Sequence, residues 1–159
     1  MKKPNNAAKR KLSKILVSQP AKVTIHKIPT GVRGLDDILG GGIPEFSFNI
    51  IAGSPGSGKT TMVHQIVFAN ATAQKPALFF TVLGEPAIKM LRYQQQYSFF
   101  DESKLGKTVR FINLSEVVLD KDLDAVLENI LKEVTAFNPG IVVVDSFRTV
   151  VRLLSLIHI

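Results

Sequence analysis

The octapeptide Gly53-Ser54-Pro55-Gly56-Ser57-Gly58-Lys59-Thr60 constrains this chain more than any other stretch. It meets every fixed position of G-x-x-x-x-G-K-[ST], the pattern of a phosphate-binding loop. Its flanks agree: Phe48-Asn49-Ile50-Ile51-Ala52 reads as a short buried strand, and Thr60 to Asn70 as a helix. Glycines let the backbone wrap an anion, and the free N–H groups of the helix start point inward at it. A chance Gly-Lys-Thr among small residues accounts for the tripeptide but not for its flanks. The stretch implies nucleotide binding.

At 159 residues and 45% hydrophobic, the chain suits one soluble globular domain. The absence of cysteine excludes disulfides, thiolate metal sites and cysteine nucleophiles, and is compatible with a cytoplasmic location. No apolar run is long enough to span a membrane, and the N-terminus lacks the apolar core of a signal peptide. The formal charge of +7 suggests nucleic acid until it is located. Nine of the basic residues, from Lys2 to Arg33, precede the first acidic one, Asp36, and the remainder carries eleven basic against thirteen acidic side chains. The basicity therefore belongs to an N-terminal arm, residues 1–20, read as a solvated leader with nucleic acid or anionic lipid as the competing partner.

Residues 21–153 form the body. Val23 to Ile28 alternates like an edge strand, closed by Pro29, and Leu35, Ile38 and Leu39 mark a short helix ended by Gly40 to Gly42. His64 and Gln65 fall on the helix after the loop, where a satisfied surface or core-margin histidine is expected. Ala77 to Val82 is a continuous apolar run, as in a strand buried on both faces. Helical character resumes over Ala87 to Tyr97; Met90, Tyr93 and Tyr97 form one stripe, read as packing, with base stacking as the alternative. Val109 to Asn113 is another strand. Leu119, Leu123, Val126, Leu127, Ile130, Val134 and Phe137 repeat at helical steps, and Asn138-Pro139-Gly140 stops them. Ile141-Val142-Val143-Val144 leads into Asp145 as a further buried strand.

Strands alternating with helices predict an α/β fold with a parallel sheet flanked by helices. Ligands in such sheets bind at the carboxyl ends of the strands, where the phosphate loop, Glu85 and Asp145 all fall. Phosphoryl transfer needs charge neutralisation, a positioned metal and an oriented nucleophile. Lys59 is placed to neutralise β- and γ-phosphates, the Thr60 hydroxyl to ligate Mg²⁺, and the backbone N–H groups of Gly56 to Thr60 to hold phosphate oxygens. Asp145 is the candidate carboxylate for the metal (Walker B), a helix N-cap being its competing role.

With these motifs in place, the chain resembles the RecA/KaiC-like P-loop ATPases. Thr30-Gly31-(x)2-Gly34-Leu35-Asp36-(x)2-Leu39-Gly40-Gly41-Gly42-Ile43-Pro44 is similar to that family's lead-in, and Gly53 to Thr61 to its phosphate loop, including Thr61. The match runs from about Val23 to Arg152 and departs at Phe46, where many members have glycine. The resemblance implies a RecA-like sheet with a strand inserted between the two motif-bearing strands, ATP and Mg²⁺ as ligands, and a glutamate after the next strand that polarises the attacking water. Glu85 matches that place, in an alignment that can slip by one residue, and a surface glutamate before a turn proline competes. It further implies a homo-oligomer, hexameric in the family, with room for a protein partner. Two alternatives stay open: a non-hydrolysing, ATP-dependent binding or regulatory module, and a recombinase-like DNA-binding ATPase.

Family members continue for several strands after the Walker B carboxylate, where a trans-acting arginine or lysine commonly lies; Arg148 and Arg152 are candidates for surface contacts only. Residues 154–159, Leu-Ser-Leu-Ile-His-Ile, resemble the translation of a transposon adapter. The expectation is a C-terminally truncated domain with a non-native tail and weak hydrolysis on its own.

Overall fold

A computed structural model describes residues 24–81, 87–115 and 123–146. The arm, the segment with Glu85, Leu119, Arg148, Arg152 and the C-terminal tail lie outside them.

The centre is a three-stranded parallel sheet of β3 (Ala77–Thr81), β4 (Val109–Asn113) and β5 (Ile141–Asp145), in the order β4-β3-β5. Phe79 stands level with Phe111 on one side and with Val143 on the other. All five residues of β3 are buried, as its unbroken apolar run predicts for a central strand covered on both faces. Alternation along β3 sorts its side chains into two cores. Ala77 and Phe79 join Val67, Phe68 and Ala71 of helix α2 (Lys59–Asn70) and its C-terminal flank on one face. Leu78 and Phe80 join Leu114 and Val126 on the other, where Ile130, Val134 and Phe137 of α4 (Leu123–Phe137) pack. The result is an α/β/α sandwich. Burying Phe79 and Phe80 completely stabilises it by about 1.5–3 kcal/mol each. Leu127, by contrast, is 46% exposed and stands off the packed stripe.

The lead-in is tied to α2. A small antiparallel ladder pairs β1 (Lys27–Ile28) with β2 (Ile43–Pro44), and the short α1 (Leu35–Ile38) lies between them. The buried Thr30 donates its backbone N–H to Asp36 Oδ1 at 2.8 Å. Gln65 Nε2 donates to the Gly31 carbonyl at 2.6 Å, and Asn70 Nδ2 to that of Pro29 at 2.7 Å. Thus the Thr-Gly-x-x-Gly-Leu-Asp stretch is a seat for the helix that carries the phosphate loop.

Three expectations are corrected. Residues 48–52 form no strand: they pair with none of β3, β4 and β5, and Phe48 and Ile50 are 82% and 76% exposed. Apolar sequence supplies strand propensity, but a strand exists only with a ladder partner, and β5 is paired only with β3 among the described residues. No described strand fills the inserted position. The predicted strand from Val23 shrinks to β1, with Ile25 65% exposed. Helix α3 (Ala87–Gln94) ends before Tyr97, and Tyr93 is 67% exposed rather than packed; Tyr97 stacks on Phe99 at 5.3 Å. Among the described residues, no helix is long and apolar enough to cross a membrane.

Candidate nucleotide site

The loop from Gly53 to Gly58 is exposed and turns directly into α2. Gly58, with φ +83°, occupies the N-cap in the left-handed region, which a side chain enters only at a cost. Gly53 serves close approach: a Cβ there would stand 2.8 Å from Ser57 Oγ. Ser57 donates its N–H to the Ser54 carbonyl at 3.2 Å and closes the turn around Pro55 and Gly56. The first turn of α2 leaves N–H groups without helical acceptors, and these begin at Lys59, Thr60 and Thr61. Lys59 folds back over the loop, its Nζ donating to the Ser54 carbonyl at 2.9 Å. An ammonium held over a concave, N–H-rich loop suits a polyphosphate.

The decisive contact crosses the sheet. Thr60 Oγ1 donates to Asp145 Oδ2 at 2.7 Å, in a partly buried setting. Asp145 reaches it from the carboxyl end of β5 and Thr60 from the first turn of α2. The peptide bond after Asp145 is cis. A hydroxyl and a carboxylate are hard oxygen donors, and magnesium is held by one or two such groups, with phosphate oxygens and water completing its octahedron. The residues present therefore fit this ion. Among the described residues no cluster of three or more histidine and acidic side chains competes for a metal.

His64, one turn after Thr60, departs from its predicted place at the core margin. It is fully buried, its ring 4.5 Å from that of Phe79 and 5.5 Å from that of Phe111. Neither ring nitrogen has a hydrogen-bond partner. Burial holds its pKa below the usual histidine value; Gln94 and Asp145 act weakly the other way. Gln94 Oε1 faces the ring without completing a hydrogen bond and is itself unpaired. In the sequence, only its place at i+4 from Thr60 hinted at this burial.

Phe46 accounts for the departure from the family pattern. Its φ is +56°, in the region where glycine is at home, and its side chain is wholly exposed. A separate cavity of about 390 Å³ lies along β4, lined by Leu91, Leu105, Arg110, Phe111 and Glu133 among others, and shares no residue with the loop.

Comparison with known proteins places these features in a family. The family model described as "ATPase: KaiC" matches residues 28–155. The DNA repair protein RadA of Mycobacterium tuberculosis is 32% identical over 121 residues, 76% of this chain and 22% of that protein. The circadian clock oscillator protein KaiC of Prochlorococcus marinus is 24% identical over 151 residues, 90% of this chain and 30% of that protein. A UPF0273 protein of Methanopyrus kandleri is 34% identical over 64 residues, 40% of this chain and 25% of its own length. The chain thus spans less than a third of each of these relatives. With its phosphate loop, its parallel sheet and the family match over most of its length, this chain belongs to the RecA/KaiC-like family of P-loop ATPases.

Proposed function

We propose that the chain binds Mg·ATP in the loop Gly53–Thr60 and takes part in its hydrolysis, as a cytoplasmic homo-oligomeric ATPase that drives assembly or signalling. The observation that carries this reading is the 2.7 Å contact between Thr60 and Asp145, since it brings the loop's hydroxyl and the β5 carboxylate within one cation's reach. Backbone N–H groups of Gly56 to Thr61 bind phosphate oxygens, and Lys59 exchanges the Ser54 carbonyl for the β- and γ-phosphates. Thr60 and Asp145 hold the magnesium ion, which when bound offsets charge on the phosphates. Glu85, outside the described residues, orients the attacking water from the segment that follows β3.

Titration of the 159-residue chain with a fluorescent ATP analogue, with and without Mg²⁺, tests the binding. Saturable binding that Mg²⁺ tightens, abolished in Lys59→Ala, is the expected result; the same affinity in Lys59→Ala would sink it. Hydrolysis is tested separately. Glu85→Gln is expected to cut turnover while sparing binding, whereas a non-hydrolysing module would show no turnover for either form.

A further inference from the structure

His64 and Thr60 lie one turn apart on the face of α2 that meets the sheet: Thr60 touches Asp145 of β5, and His64 touches Phe79 of β3. From the end of α3, Gln94, 5% exposed, faces the same ring. Both ring nitrogens and Gln94 Oε1 are buried and unpaired. Buried polar atoms without partners cost free energy, and a phenylalanine would fill this aromatic niche without that cost. Packing alone therefore gives no reason for an imidazole. Joining the ring N–H to Gln94 Oε1 would satisfy two of the three atoms at once, and it requires only a small adjustment of α2 against α3.

Thr60 commits its hydroxyl proton to Asp145. Sharing both oxygens with a cation redirects that hydroxyl and shifts the first turn of α2, and His64 moves with it. We propose that His64 and Gln94 are a positioning pair, whose hydrogen bond couples the Thr60–Asp145 site on α2 and β5 to helix α3. The coupling rests on the reading of that contact as the cation site for bound nucleotide. It gives α3 two positions, one for each state of the loop, and makes nucleotide affinity depend on a bond that touches no ligand atom.

The test uses the full chain and the variants His64→Phe and Gln94→Met, each close in shape to the original and lacking the polar atoms. Side-chain ¹⁵N spectra report the imidazole directly, and thermal melting reports the fold. In the wild type, Mg²⁺ with a non-hydrolysable ATP analogue should move the His64 ring resonances, and Gln94→Met should remove that shift. Each variant should weaken Mg²⁺-dependent nucleotide affinity about fivefold or more, the double variant no further, with melting temperatures unchanged or raised. A merely structural pair would instead lose stability and affinity together. Wild-type affinity in both variants, with an unmoved ring in the wild type, overturns the coupling alone. A wild type that binds no Mg·nucleotide overturns the nucleotide reading, and the coupling with it.

Discussion

Thr60 and Asp145, separated by 85 positions in the chain, meet through a single 2.7 Å hydrogen bond. The contact joins the loop helix to the sheet at the site where charge is to be balanced. Replacing Thr60 by valine keeps the shape and removes the donor. Thr60→Val is expected to lose the Mg²⁺ dependence of nucleotide binding, weakening it about tenfold, the scale of one lost hydrogen bond to a charged group. Isothermal titration at fixed nucleotide and varied Mg²⁺ measures this, and an undiminished Mg²⁺ effect would contradict it.

Phe46 bears on stability. A side chain at φ +56° costs roughly 1–2 kcal/mol, of which glycine's greater freedom when unfolded returns part. Phe46→Gly should therefore stabilise the fold by about 0.5–1 kcal/mol. It also removes a wholly exposed aromatic ring. Urea unfolding with an unchanged slope and a higher midpoint is the expected outcome; a lower midpoint would count against the strain.

Asp36 holds the lead-in together. Its carboxylate accepts the N–H of Thr30, a residue with no exposed surface. Asp36→Ala strands that donor and should cost about 1–3 kcal/mol. Asp36→Asn keeps an acceptor in place and should recover most of the loss, as differential scanning calorimetry of the two variants would read. Equal losses in both would show that the acceptor is not what matters.

Stability should also depend on pH through His64. Burial lowers its pKa from the ordinary 6.5, so between the two values the unfolded chain holds the extra proton. Stability is then fully retained above about pH 6.5 and falls as pH drops toward the folded-state value. The carboxyls of Glu45 and Asp101 are held below their usual range by bonds from Lys75 and Ser103. Their contributions are lost only at more acidic pH. Unfolding curves across pH 5.5–7.5, roughly the span in which histidine alone titrates, should slope for the wild type and flatten for His64→Phe. Parallel slopes would argue against a buried neutral imidazole.

Features that local pattern dictates were legible in the sequence. The eight residues of the phosphate loop, the apolar run of β3 and the four branched residues before Asp145 carry their own structure, because each is specified over less than a dozen positions. Asn138, with φ +47°, ends α4 where Asn-Pro-Gly predicts. Partner-dependent features were not legible. Phe48 to Ala52 has the composition of a strand but no ladder neighbour among the described residues. Periodicity put Tyr93 in a packed stripe, yet its neighbour Gln94 is the buried one. Helical spacing reports an angle around an axis, not what stands opposite. The two-residue β2 offered too little sequence to announce itself.

The strand order has a consequence for how the chain matures. Because β3 lies between β4 and β5, its Ala77 finds one neighbour in Val109 and the other only in Ile141. During synthesis the central strand emerges with both edges open, acquires β4 first, and keeps a bare edge until β5 leaves the ribosome. Thr60 has by then long been made, but its aspartate is the last residue of that final strand. Closure of the sheet and completion of the cation site are therefore one event, so a nascent chain gains its ligand pocket only when its most buried strand is sealed.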